Sequence, residues 1–102
     1  MVTIKKKVVV KNKLGLHARP AALFVQLANK FDSDVAVIKD DVEVNGKSIM
    51  GILMLAAERN STITIITSGK DAQEAMLGLE KIVEVDELEE NSKRAVDKSL
   101  KK

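Results

Sequence analysis

A chain of 102 residues fits one domain, and 45% hydrophobic content with only two aromatic residues, Phe24 and Phe31, calls for an aliphatic core. The absence of cysteine excludes disulfides, thiolate chemistry and Cys-based zinc sites, and one histidine with no carboxylate cluster leads to the expectation of no metal and no cofactor. A net charge of +2 is too small to call for nucleic acid, no segment approaches a membrane span, and Lys5, Lys6 and Lys7 interrupt the N-terminus where a signal peptide would be apolar, so a soluble, cytoplasmic protein is expected.

Residues 2–10 read as a strand with Val8 and Val10 facing inward. Gly15 breaks this pattern ahead of His17. Residues 20–31 read as a helix, because Phe24, Leu27, Ala28 and Phe31 recur at the spacing of one buried stripe. Asp32, Ser33 and Asp34 form a turn cluster before a β-branched strand over Val35–Ile38. Asp40-Asp41 marks a hairpin, Val42–Val44 the returning strand, and Asn45-Gly46 a further turn. Ser48 then suits the N-cap of a short apolar helix, Thr62–Thr67 a fourth strand, and Asp71 with Glu74 a capping box opening a last helix. Ala72, Ala75, Met76, Leu79 and Val83 line the buried face of that helix.

The order βαββαβα predicts an α+β fold: an open-faced β-sandwich, with a four-stranded antiparallel sheet and three helices on one face. Residues 1–86 form the domain, and 87–102 a charged C-terminal extension. From Glu84 onward no Pro or Gly stops a helix, and Glu89–Lys93 and Glu90–Arg94 are spaced i, i+4, so the extension is expected to lengthen the last helix. Charge is uneven along the chain. Lys5, Lys6, Lys7, Lys11 and Lys13 crowd the first segment, and Glu84, Asp86, Glu87, Glu89 and Glu90 a late one. These are either two solvated faces or a basic end that meets an acidic partner.

The segment Leu14-Gly15-Leu16-His17-Ala18-Arg19-Pro20-Ala21-Ala22 lies where a strand gives way to a helix. The first N–H groups of a helix have no intrahelical acceptors, and with the helix dipole they favour an anion. Pro20 has no N–H to lose and disfavours helical geometry at Arg19, so the helix is expected to begin at Pro20, with the N–H groups of Ala18 and Arg19 outside its ladder. A phosphate on the His17 imidazole reaches both, and Arg19 supplies a permanent positive charge. Phosphoryl transfer needs positioning and electrostatic help more than bond-making by the protein, so these groups suffice for a carrier. On the residues alone, an anion-binding module fits equally well.

Two segments decide between these readings. Gly15-Leu16-His17-Ala18-Arg19-Pro20-Ala21 resembles the active-site signature of HPr, the phosphocarrier family of the bacterial sugar phosphotransferase system. Asn45-Gly46-Lys47-Ser48-Ile49-Met50-Gly51 resembles that family's second signature, and the similarity runs from about Val2 to Val85. The resemblance implies that His17 accepts a phosphoryl group, through Nδ1, from enzyme I charged by phosphoenolpyruvate. It then passes the group to enzyme IIA domains during sugar uptake, making the chain a relay component and not an independent metabolic enzyme.

The resemblance also implies that Ser48 is a regulatory site for an HPr kinase/phosphorylase, its phosphorylated form serving a catabolite-control transcription factor. Ile49, Met50 and Leu53 are more apolar than one short helix can bury, and with Leu16 they are expected to form a partner-docking patch. A regulatory paralogue of the nitrogen type is the rival within the family. Intact His17 argues against a paralogue that has lost the histidine. A ferredoxin-like RNA-binding module would need aromatic residues on its sheet, where none is expected.

Overall fold

The computed structural model describes residues 1–85, and the extension expected over 87–102 lies outside the described residues. The elements are β1 (Thr3–Val9), α1 (Ala18–Ala28), β2 (Asp34–Lys39), β3 (Val42–Asn45), α2 (Ile49–Met54), β4 (Thr62–Ser68) and α3 (Ala72–Glu84). The strands pair antiparallel in one sheet, in the order β1-β4-β2-β3. Alternation along β4 buries Ile63, Ile65 and Thr67 on one face. The register sets Val8 opposite Ile63, and Val37 opposite both Ile65 and Val44, so the inward side chains of neighbouring strands meet. The helices cover this face: Phe24 and Ala28 of α1, Ile52 of α2, and Met76, Leu79 and Val83 of α3 complete a single aliphatic cluster around one phenyl ring. The other face is uncovered among the described residues and carries Lys5, Lys7, Thr64 and Ile66 in register. The expected open-faced sandwich with three helices is the fold that forms.

Local chemistry sets most boundaries. Asp40 and Asp41 both take positive φ, 49° and 71°, which gives the β2–β3 hairpin the primed geometry that matches strand twist. Ser48 caps α2 as expected, its Oγ accepting from the Gly51 N–H at 3.1 Å. Asp71 does not form the capping box. Its carboxylate turns away from α3 and accepts from the N–H groups of Asp32 and Ser33 and from the Ser33 hydroxyl. Three donors from the α1–β2 turn outbid one from its own helix, and the turn is thereby tied to the start of α3.

α1 begins two residues earlier than expected and stops three earlier. Pro20 is the third residue of its first turn, where a missing N–H costs nothing, so it does not exclude Ala18 and Arg19 from helical geometry. Asn29 ends the helix, its side-chain amide donating back to Val25 O. Phe31 therefore falls outside α1 and is only half-buried, while Phe24 is fully buried.

Part of the lysine-rich start pairs within the fold. Lys6 points toward α3 and meets the buried Glu80 at 2.6 Å, and this hydrogen bond holds the Lys6 ammonium above its ordinary pKa. Within the described residues α3 stops at Glu84, where Val85 is extended. Asn12 supplies the reason. Its buried side-chain amide donates to the Ile82 and Val85 carbonyls at 2.8 and 2.9 Å, satisfying the helix end from outside.

Candidate active site

The segment between β1 and α1 is held from two sides. Lys11 N–H donates to Val83 O at 2.9 Å, and the Asn12 amide grips the end of α3. Gly15 N–H donates to Asn12 O, closing a turn. Gly15 has φ +75°, and a Cβ there would lie 2.5 Å from the Ala57 carbonyl oxygen, so both conformation and contact demand glycine. Leu16 N–H then donates to that same Ala57 O at 2.8 Å. The loop is thus pinned to α3 and to the segment after α2 before the chain reaches His17.

His17 is the N-cap of α1, in extended geometry at φ −82°, ψ −166°, and its carbonyl accepts from Ala21 N–H at 3.0 Å. Its side chain makes no capping bond and is half-exposed. Ala18, Arg19 and Pro20 form the first helical turn; the first two are exposed and Pro20 is buried. A helix presents in this turn the N–H groups that its own carbonyls cannot reach, with the positive end of its dipole behind them. The sequence-predicted histidine, arginine and helix start therefore come together at one surface, at the first residues of α1.

Leu16 is not part of that surface. Only 3% of it is exposed, and it belongs to the core beneath the loop, because Gly15 reverses the chain and turns the next side chain inward. It anchors His17 and cannot dock a partner; Leu14, at 75%, is the exposed leucine of the loop. Ile49, Met50 and Leu53 are exposed as expected, at 38%, 65% and 37%, and Met54 joins them at 72%. Met54 is four residues beyond Met50 and so on its face of the helix, a signal present in the sequence but not used.

Ser48 does not reach His17. The Asn29 side-chain amide donates to Lys47 O, placing the start of α2 beside the end of α1, whereas Ala57, just past α2, touches the loop at the beginning of α1. Ser48 therefore sits near the C-terminal end of α1, whereas His17 caps its N-terminal end. The exposed apolar residues of α2 occupy the span between them.

The family model for the PTS HPr component phosphorylation site matches residues 4–85. The chain belongs to the HPr family. Among its relatives, the HPr-like protein Crh of Halalkalibacterium halodurans is 56% identical over 81 residues, covering 79% of this chain and 96% of that one. Phosphocarrier protein HPr of Neisseria meningitidis is 48% identical over 80 residues, covering 78% and 90%. The crystal structure of HPr from Bacillus anthracis superposes with a TM-score of 0.78 at 52% identity, covering 81% of this chain and 99% of that one. The described body of the chain is therefore an HPr domain, and residues 86–102 lie beyond the family match. No helix among the described residues of this HPr domain is long and apolar enough to cross a membrane.

Proposed function

We propose that this chain is a cytoplasmic phosphocarrier in which His17 takes a phosphoryl group from enzyme I, charged by phosphoenolpyruvate, and delivers it to enzyme IIA domains during sugar uptake. The observation that carries this reading is a half-exposed imidazole at the N-cap of α1, beside Arg19. An imidazole nitrogen bonds phosphorus as the donor's bond to it breaks. The phosphoryl oxygens then face the first-turn N–H groups of Ala18 and Arg19 and the Arg19 guanidinium, which stabilise the anion without any group having to move. Incubation with enzyme I and phosphoenolpyruvate, followed by intact-mass measurement, should add one phosphate that is labile in acid and stable in base. His17→Ala should abolish the addition, and a fully labelled His17→Ala protein would refute the assignment. Arg19→Ala should slow transfer while leaving the fold intact.

A regulatory role is the second reading, favoured by the capped serine of α2 and by the relatives named Crh, one of them the Bacillus subtilis catabolite repression HPr. Ser48 is in this reading the target of an HPr kinase/phosphorylase, and the product serves a catabolite-control transcription factor. Because Ser48 and His17 lie at opposite ends of α1, a phosphate on Ser48 acts through the α2 docking surface and not by contact with the imidazole. Ser48→Asp should therefore slow phosphorylation by enzyme I with the fold preserved. Transfer at the wild-type rate would remove the inhibitory part of this reading.

A further inference from the structure

The sheet face turned away from the helices sorts its side chains by charge across the strands. The register gives the rows. Lys7, Thr64, Ile38 and Glu43 stand side by side across β1, β4, β2 and β3, and Lys5, Ile66, Ala36 and Asn45 form the next row. On this face the lysines thus stand on one edge strand and Glu43 on the other. Lys5, Lys7 and Glu43 are exposed, and none has an ion pair among the described residues. Between the edges, Thr64, Ile66, Ala36 and Ile38 form a half-buried, mostly apolar strip.

The acidic side is also concave. Asp34, Ala36, Glu43 and Asn45 line a shallow hollow. Lys47 stands at its rim, but its ammonium is turned away and donates to Phe31 O at 2.8 Å.

We propose that a second copy of this chain covers the face, related by a two-fold axis that runs along the strands, between β4 and β2. Such an axis exchanges the two edges and keeps each row level. Lys7 of each copy then stands over Glu43 of the other, and Lys5 enters the other's hollow beside Asn45, between Asp34 and Glu43. At the centre Ile66 rests over Ala36 and Ile38 over Thr64, so a large side chain meets a smaller one in both rows. Packed sheets lie about 10 Å apart, a gap that a lysine and a glutamate bridge together. A two-fold across the strands would set lysines on lysines, so the charge order selects the first axis. The seven-residue strands β1 and β4 are about 23 Å long and four strands about 19 Å wide, which makes the face on the order of 400 Å², half the ~800 Å² per partner of a standard interface. The pairing is therefore weak and set by concentration. The helix layers of both copies face outward, so pairing leaves α1 and α2 open to partners.

The test is self-association of the full-length chain, followed by analytical ultracentrifugation and amide chemical shifts. From about 10 μM to about 1 mM at low salt, the average mass should rise toward that of a dimer, and the amides of Ala36, Ile38, Thr64 and Ile66 should shift with it. Salt at about 1 M, where screening shortens to ~3 Å, should weaken the association. Lys7→Glu or Glu43→Lys alone should weaken it at least about tenfold, and both together in one chain should restore it, because the exchanged charges again face each other. A monomer throughout this range would overturn the proposal, as would a dimer indifferent to either single reversal. Shielding of the face from a soluble paramagnetic agent at every concentration would show that the chain covers its own sheet, and would overturn it as well.

Discussion

At the scale of single residues, the His17 imidazole depends on neighbours that have no chemistry of their own. Gly15 bends the chain, Leu16 plugs it into the core, and Asn12 ties it to the end of α3. The tightest demand falls on Gly15, where positive φ and the Ala57 carbonyl coincide. Gly15→Ala should cost about 1–3 kcal/mol in backbone strain alone, with the contact adding to it. Displacing Ala57 O also loosens the bond that holds Leu16, so enzyme I should phosphorylate His17 more slowly in this variant even where it stays folded. Denaturant unfolding and a phosphorylation time course measure the two effects separately. The sequence announced His17, Arg19 and Gly15 by type and spacing. It did not announce Asn12, because what makes Asn12 important is a helix end more than 70 residues away.

Among the elements, α2 stands apart because it buries one side and shows the other. Ile52 and the cap residue Leu55 enter the core, and Met50, Leu53 and Met54 stay outside. Met50→Lys should change stability by no more than about 0.5 kcal/mol, as expected for a surface site, while raising the KM for enzyme I. A large fall in thermal stability would make Met50 a core residue. The strands and the capped start of α2 were legible because alternation and capping are local. Leu16 reads as a docking residue and is buried instead, because the single φ-positive residue Gly15 turns it toward the core. The Asp71–Glu74 capping box failed for a related reason. Its carboxylate had a local partner in view and found better donors in Asp32 and Ser33, across the molecule.

For the molecule as a whole, that same carboxylate links stability to pH. The Ser33 hydroxyl, with the Asp32 and Ser33 N–H groups, holds the Asp71 pKa below its ordinary value. A depressed folded-state pKa means that the unfolded chain binds the proton first on acidification. The contribution is therefore complete above the unfolded carboxylate range near pH ~4 and fades as pH falls through the lower folded value. Asp71→Asn should be less stable than wild type at pH 7, and the gap should narrow below pH ~4. A gap unchanged with pH would show that the charge is not what the cluster uses. A chain ending after Asp86 should keep its fold by circular dichroism and accept phosphate close to the full-length rate, since the family match stops at residue 85.

The strand order has a consequence for how the protein is made. β1 leaves the ribosome well before β4, its partner among the described strands, with Thr3 waiting for Ser68 and Val9 for Thr62. The loop that presents His17 waits longer, for the carbonyls of Ile82, Val83 and Val85. A nascent chain therefore carries its histidine early but cannot hold it in working geometry until translation has passed the end of α3. Arrested chains of increasing length should become substrates for enzyme I abruptly, when residue 85 clears the exit tunnel, and not gradually from the moment His17 emerges.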